Sequence, residues 1–329
     1  MEKKLSLEQL EEIKPICVFD NRVSSSEATY TIIIPTFKRP SLLQYAIKSA
    51  LEQTEFEAYD IIVMDNNPER NDETELFMVQ FSKTEHLAYY KEPYNIGGTG
   101  NWNKATQMAE TEWVVMLHDD DMLYQDFFQI LERARHNKPF ADAIYSECQH
   151  HKFSDGVLLP RKSIKPKMWH LKEWDFLLGN TAGPLVGMAY RKVAWQRLGG
   201  FDFDYSPMGD YFFHSRLAHY GEIYKIKNYP TTCYRWFDND TTRPGVAEAM
   251  IRQSYNIRLF VMGSINLLMP RYWQQKLCSI AAYNTLDSWQ LPTGEYHKPS
   301  KIENFLYTTW IRFVRLPMKY RRDILSWDI

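Results

Sequence analysis

At 329 residues, with 44% hydrophobic and 15% aromatic side chains, the chain can build one large or two smaller packed domains, and intrinsic disorder is excluded. Its 39 basic and 41 acidic residues leave a net charge of −2, which argues against a general nucleic-acid binder. Cys17, Cys148, Cys233 and Cys278 lie far apart, offer no zinc-ligand spacing and read as reduced thiols. The start, MEKKLSLEQLEEIKPIC, lacks a signal-peptide core, and no apolar run reaches the length of a spanning helix, so a cytoplasmic setting is expected.

Residues 1–28 read as a short helix and a Ser-rich connector. YTIIIPT (30–36) is a β-branched run ended by proline, the pattern of a buried strand. SLLQYAIKSALEQ (41–53) places Leu43, Ile47, Ala50 and Leu51 on one helical face, with Pro40 at its first turn. YDIIVMD (59–65) is a second buried strand, followed by a polar turn and a helix near 73–83. HLAYYKEP (86–93) is a third strand, GNWNKATQMAE (100–110) a helix and WVVMLH (113–118) a fourth strand. A helix over 124–137 and a strand at 143–147 follow, then a basic loop at 150–170. GDYFFHSRLAHYG is a helix opened by Asp210, EIYKIKNYPTTCYRW (222–236) forms one or two strands, and the chain beyond 245 is helical and aromatic. Strands alternating with helices predict βαβ units in an α/β fold, a doubly wound, mainly parallel sheet flanked by helices.

In such sheets ligands bind outside the carboxyl ends of the strands. Polar residues fall at those ends: Thr36, Asp65, Asn95 and the run Asp119–Asp121. Three adjacent carboxylates repel unless they are solvated, paired or hold a cation. By itself the run fits a solvated turn as well as a metal site, and its place after a strand favours metal. Hard Mg²⁺ or Mn²⁺ on a diphosphate takes one or two carboxylates from the protein. NIGGTGNWN (95–103) has neither dinucleotide-fold nor P-loop spacing, so a tight turn into a helix and a pocket wall both stay open. Asp210 reads either as a helix cap or as a general base.

TIIIPTFKRPSLLQYAIKSALEQ, DIIVMDNN, NIGGTGNWNKA, WVVMLHDDDML, GPLVGMAYRKVAWQRLGGFD and GDYFFHSRL, in this order over roughly residues 29–240, resemble the inverting glycosyltransferases of family 2, with the GT-A fold. The resemblance implies a glycosyltransferase domain at 29–245, with a nucleotide-binding part at 29–123 and an acceptor part at 124–245, before a helical extension at 246–329. It implies a donor nucleotide site of Pro35, Thr36, Phe37, Arg39, Asp65, Asn67, Asn95, Gly97, Asn103, Lys104, Asp119 and Asp120. Mn²⁺ or Mg²⁺ would be held by Asp119, Asp120 and Asp121, and Asp210 would be the catalytic base. Gly187, Met188, Asp202 and Arg235 would face the acceptor.

Several positions depart from the family pattern. His118 precedes the acids: if it fills the first acidic position the metal ligand is Asp120, and if the motif is Asp119-x-Asp121 it is Asp121. Gly209 replaces the usual Glu before the base, Phe237 stands where some members carry His, and Trp102 replaces an Arg, leaving Lys104 or the metal to supply charge. The expected reaction is inverting transfer from a nucleotide-sugar, a UDP-sugar first, to a hydroxyl of a glycan or polyprenyl-diphosphate-linked acceptor. The alternatives are a nucleotidyltransferase, disfavoured by the glycine-free first loop PTFKRPS, and a non-catalytic binding relative. The aromatic, basic segment 305–329 fits either contact with the inner face of the plasma membrane or core packing with a charged outer face, and both readings stay open.

Overall fold

The computed structural model describes residues 5–22, 28–152, 156–161, 164–235, 244–265, 269–288, 290–324 and 327–328. In chain order the first half holds α1 (Leu7–Glu12), β1 (Ile16–Asp20), β2 (Tyr30–Thr36), α2 (Pro40–Leu51), β3 (Tyr59–Asp65), α3 (Glu73–Met78), β4 (Leu87–Lys91), α4 (Gly97–Met108), β5 (Trp113–Met116), β6 (Met122–Leu123) and α5 (Phe127–Asn137). Then come β7 (Ala143–Tyr145), β8 (Cys148–His151), β9 (Lys167–Leu171), β10 (Met188–Arg191), α6 (Lys192–Arg197), α7 (Gly209–Tyr220), β11 (Ile223–Lys227) and β12 (Thr232–Arg235). Three helices, α8 (Pro244–Ser264), α9 (Arg271–Ser288) and α10 (Lys301–Ile324), precede a short β13 (Trp327–Asp328).

The main sheet runs β1-β4-β3-β2-β5-β10-β7-β11-β9-β13. Its core, β4-β3-β2-β5, is parallel, and β10 enters antiparallel between β5 and β7. Every residue of β2, β3 and β4 is buried, as continuous apolar runs covered on both faces require. The two-residue period sorts them. Ile33, Ile62, Met64, Val114 and Met116 join Ala105 of α4 and Phe213 and Leu217 of α7 on one face. Ile32, Ile34, Ile61, Val63 and Val115 meet Leu43 and Ile47 of α2 and Phe127 and Leu131 of α5 on the other.

The chain moves outward from β2 through β3 to β4, then crosses back to place β5 on the other side of β2. The crevice between β2 and β5 is therefore the switch point where ligands bind in doubly wound sheets. Pro35 helps to open it. Ile33 O accepts from Leu117 beyond β5 while Thr36 O accepts from Asn66 beyond β3, so Pro35 turns its missing N–H towards β5. Pairing between β2 and β5 ends at Ile33 and Met116.

Three features differ from the sequence expectation. Ile16–Asp20 is an edge strand, antiparallel to β4, inside what reads as a connector. The basic loop at 150–170 contains the end of β8 and the start of β9, and Arg161 is stacked between Tyr124 and Tyr229. β12 leaves the main sheet and forms a second one, β6-β12-β8. α8 to α10 are not a separate core: Ile257, Val261, Leu277, Cys278 and Val314 pack in the same apolar cluster as α7. Among the described residues no helix is long and apolar enough to cross a membrane. Phe237, part of the basic loop at 162–163 and the extreme N-terminus lie outside the described residues.

Candidate active site

The carboxyl ends of the parallel strands bring Thr36, Asp65, Glu92 and the run His118–Asp121 to one edge, since Thr36 pairs with Asp65 and Asp65 with Lys91. Across the switch point Thr36 Oγ1 donates to Asp119 Oδ2 at 2.7 Å. Arg39, at the start of α2, reaches Asp120 Oδ2 at 3.1 Å and Asp119 Oδ1 at 3.6 Å. On the far side the backbone N–H of Arg235 donates to Asp121 Oδ1 at 3.0 Å, and its Nε donates to the Asp120 carbonyl at 2.5 Å. The three acids are thus held by two segments distant in sequence, the β2–α2 connection with Thr36 and Arg39, and Arg235 of β12.

Burial pushes Asp119 and Asp121 above the ordinary carboxylate range, and the charge of Asp120 adds to it. His118 Nδ1 faces Asp121 Oδ2 at 3.5 Å, and the indole of Trp102 on α4 stacks on the His118 ring at 5.4 Å. Burial alone would lower the His118 pKa, but the Asp121 contact and the surrounding acids raise it. Asp121 Oδ2 is buried without a hydrogen bond. Ligand atoms of His118, Asp120 and Asp121 lie within 4.8 Å of one another. Hard oxygens, one of them a buried orphan, with an imidazole beside them suit a divalent cation, which would offset the repulsion that burial aggravates. The cluster takes His118 in place of Asp119, whose oxygens are turned to Thr36 and Arg39.

Asp210 sits in the first turn of α7, where the helix dipole favours its charge. Its Oδ1 accepts from the Tyr211 N–H at 2.6 Å and its Oδ2 from Asn180 Nδ2 at 3.0 Å. Burial lifts its pKa to about 6 against those hydrogen bonds and the charge of nearby His118. A half-buried carboxylate poised just below neutrality is suited to accepting a proton.

Other expected residues are placed differently. Asp65 is fully buried, accepting from Tyr89 Oη at 2.8 Å, Lys91 Nζ at 2.9 Å and the Asn67 N–H at 3.0 Å. The Asn67 side chain donates to Asp72. Phe37 is exposed at the rim, and Asn95 accepts from Asn66 and from the Gly97 N–H. Gly97 to Gly100 form the first turn of α4, entered at φ +79° by Gly97, rather than a separate phosphate loop. Asn103 accepts from Trp195 Nε1 and the Phe201 N–H and donates to the Phe201 carbonyl, and Lys104 Nζ donates to the Leu10 carbonyl of α1 at 2.7 Å and to Gln107 Oε1 at 3.0 Å. Both side chains are thus committed within the protein, buried against α1 and the turn at Phe201. Asp202 caps the turn at Phe203–Tyr205, Met188 is buried in the core, and Arg235 braces the acidic run. At Gly187 (φ +68°) an added Cβ would lie 2.2 Å from Thr232 Cγ2.

Two further residues join the site without a sequence motif of their own, Asn180 and Glu92. Asn180 follows a glycine in an irregular segment, which carries no signal. Glu92 could have been found by the strand-end rule. It is fully buried after β4, with both carboxylate oxygens unpartnered, and burial pushes it up to about 7.

The family model of glycosyl transferase family 2 matches residues 31–198. The chain belongs to glycosyl transferase family 2. Among curated relatives of this family 2 enzyme is a Campylobacter jejuni protein named GalNAc(5)-diNAcBac-PP-undecaprenol beta-1,3-glucosyltransferase, 25% identical over 230 residues, spanning 68% of this chain and 69% of its own. A Haemophilus influenzae uncharacterized glycosyltransferase is 23% identical, spanning 68% and 76%. Among solved structures, S. aureus TarS 1–349 in complex with UDP superposes with a TM-score of 0.57 at 13% identity, over 79% of this chain and 72% of that one. A Pyrobaculum calidifontis mannosyltransferase in complex with GDP-Man and Mn²⁺ superposes with a TM-score of 0.54 at 15% identity, over 97% and 89%. These likenesses establish the GT-A fold of this glycosyltransferase.

Proposed function

We propose that this glycosyltransferase moves a sugar, with inversion, from a nucleotide-sugar, a UDP-sugar first, to a hydroxyl of a polyprenyl-diphosphate-linked or glycan acceptor. The observation that carries the reading is the acidic run locked across the switch point by Thr36, Arg39 and Arg235, with Asp210 near enough to feel His118. His118, Asp120 and Asp121 would hold Mn²⁺ or Mg²⁺, which when bound supplies Lewis-acid stabilisation of a leaving diphosphate, typically worth several kcal/mol. Thr36 orients Asp119 towards the donor, and Arg39 brings positive charge to the rim. Asp210 takes the proton of the attacking hydroxyl, a contribution on the order of 10²–10⁴-fold. With one base and no second carboxylate assigned as a nucleophile, a single displacement inverts the anomeric centre. The relatives named for a UDP complex and for an undecaprenol-linked substrate support the donor and acceptor classes. Thermal shift with Mn²⁺ and a panel of UDP- and GDP-sugars tests this, because a ligand that binds only the folded state raises the melting point. A panel without any shift, or shifts indifferent to Mn²⁺, would refute it.

The acceptor class fits the surface of α10. Ile302, Phe305, Leu306, Phe313 and Leu316 are exposed, and at 100° per residue they fall within an arc of about 100°. Lys301, Arg312 and Arg315 lie along one flank of that arc. An apolar stripe beside cationic side chains is the chemistry of a helix lying on an anionic bilayer. Wild-type protein should sediment with phosphatidylglycerol-containing vesicles and Phe305→Glu/Phe313→Glu should not. Self-association through this face in sedimentation velocity, without vesicle binding, would assign the stripe to a second copy instead.

A further inference from the structure

We propose that Asn180 is a positioning residue for Asp210: its side-chain amide, anchored on His214, holds one carboxylate oxygen and fixes the direction from which Asp210 receives a proton. This rests on the reading of Asp210 as the base. Asn180 lies between the turn at Glu173–Phe176 and β10, in a segment with no regular structure of its own. Its Nδ2 donates to Asp210 Oδ2 at 3.0 Å and to the Gly183 carbonyl at 3.0 Å, and the Gly183 N–H returns a bond to the Asn180 carbonyl at 3.2 Å. The turn that carries Asn180 is therefore closed by the same side chain that reaches the base.

Those two acceptors dictate which way the amide faces. Nδ2 must point at the carboxylate and the carbonyl, so Oδ1 points the other way, to His214 Nδ1 at 2.9 Å. An amide oxygen only accepts, so the imidazole must carry its proton on Nδ1. His214 lies one helical turn after Asp210 on α7, so Asn180 bridges adjacent turns of one helix. His214 is fully buried, and burial together with the charge of Lys225 pushes its pKa down to about 3. It therefore stays neutral and keeps this tautomer through the working pH range. Tyr145 of β7 packs edge-on against the imidazole at 4.7 Å. The Asp210 carboxylate has its Oδ1 fixed by the Tyr211 N–H and its Oδ2 by Asn180, which leaves both oxygens oriented but still able to accept. The charged or titratable groups around it are His118 from the end of β5, Tyr145 from β7 and His214 from α7.

The test follows the titration of the base as well as turnover. With ¹³C-labelled aspartate, the Asp210 carboxyl resonance is assigned by its loss in Asp210→Asn. Asn180→Ala should raise its titration midpoint by about one pH unit, because a hydrogen bond to the charged form has gone. In nucleotide release from UDP-glucose, UDP-GlcNAc and GDP-mannose with Mn²⁺, Asn180→Ala should lower the maximal rate roughly 10- to 100-fold, with the acidic limb displaced to higher pH and half-saturating donor within about twofold of wild type. Adding Asn180→Ala to Asp210→Asn should change nothing more. An unmoved carboxyl midpoint overturns the proposal, whether or not a panel donor is consumed. So does a wild-type rate with an unmoved limb. An active Asp210→Asn protein would instead overturn the assignment of the base, and the two failures are separate.

Discussion

Asp210→Asn separates the two descriptions of this residue, base and helix cap, through pH. The carboxyl has an ordinary pKa of 3.8 and burial lifts it to about 6 in the folded chain. Between those values the native state retains a proton that the unfolded chain has lost, so this group's contribution to stability falls as pH rises and its full cost is present above 6. Two pH units correspond to about 3 kcal/mol, and partial exposure of the carboxyl discounts this to roughly 1–3 kcal/mol. Asparagine carries no such cost. Its NH₂ meets one of the two donors, Tyr211 N–H or Asn180 Nδ2, but that penalty does not depend on pH. Urea denaturation of both proteins from pH 4 to pH 7.5 should therefore show the variant gaining about 1–3 kcal/mol relative to wild type as pH rises. In parallel, wild-type nucleotide release should follow an acidic limb near pH 6, with about one-tenth of Asp210 ionised at pH 5 and about nine-tenths at pH 7, while the variant is nearly inactive. A stability difference that is flat across pH, or a rate that holds down to pH 4.5, would refute the reasoning.

Three further predictions address other parts of the site. Asp121→Asn should weaken Mn²⁺ binding at least about tenfold by titration calorimetry with an unchanged circular dichroism spectrum, since it replaces the orphaned buried oxygen; unchanged affinity would move the cation elsewhere. Lys104→Met should leave half-saturating donor within about twofold of wild type while costing about 1–3 kcal/mol in urea, because its ammonium donates to the Leu10 carbonyl; a large rise in half-saturating donor would restore a phosphate role. Gly187→Ala should cost more than about 3 kcal/mol or yield insoluble protein, from positive φ combined with the approach to Thr232; a near-native urea midpoint would show that the loop can yield.

The parallel half of the fold was legible because its strands are continuous apolar runs and its helices carry a clear apolar face. Tyr59–Asp65 appears in the structure with the bounds read from sequence. β1 was not legible: ICVFD is half exposed at a sheet edge and lacks both signals. Nor was the destination of β12, since strand order is set by pairings across more than a hundred residues, such as Thr232 with Leu123. At the site, strand-end polar residues pointed to the crevice. Side-chain commitments decided the rest, and sequence patterns do not encode them: Lys104 is drawn to a carbonyl on α1, Asp65 to Lys91, and Asn180 to the base from an irregular segment. The family resemblance placed Asp119 among the cation ligands, whereas the cluster of ligand atoms uses the imidazole one residue earlier.

The Arg235 bond to Asp121 spans 114 positions. During synthesis Thr36 and Arg39 emerge ahead of the acidic run and can brace Asp119 and Asp120, but Asp121 lacks its backbone donor until β12 emerges. A fragment ending before residue 232 would own the nucleotide half of the sheet yet leave the acidic run without the Arg235 contacts that complete it.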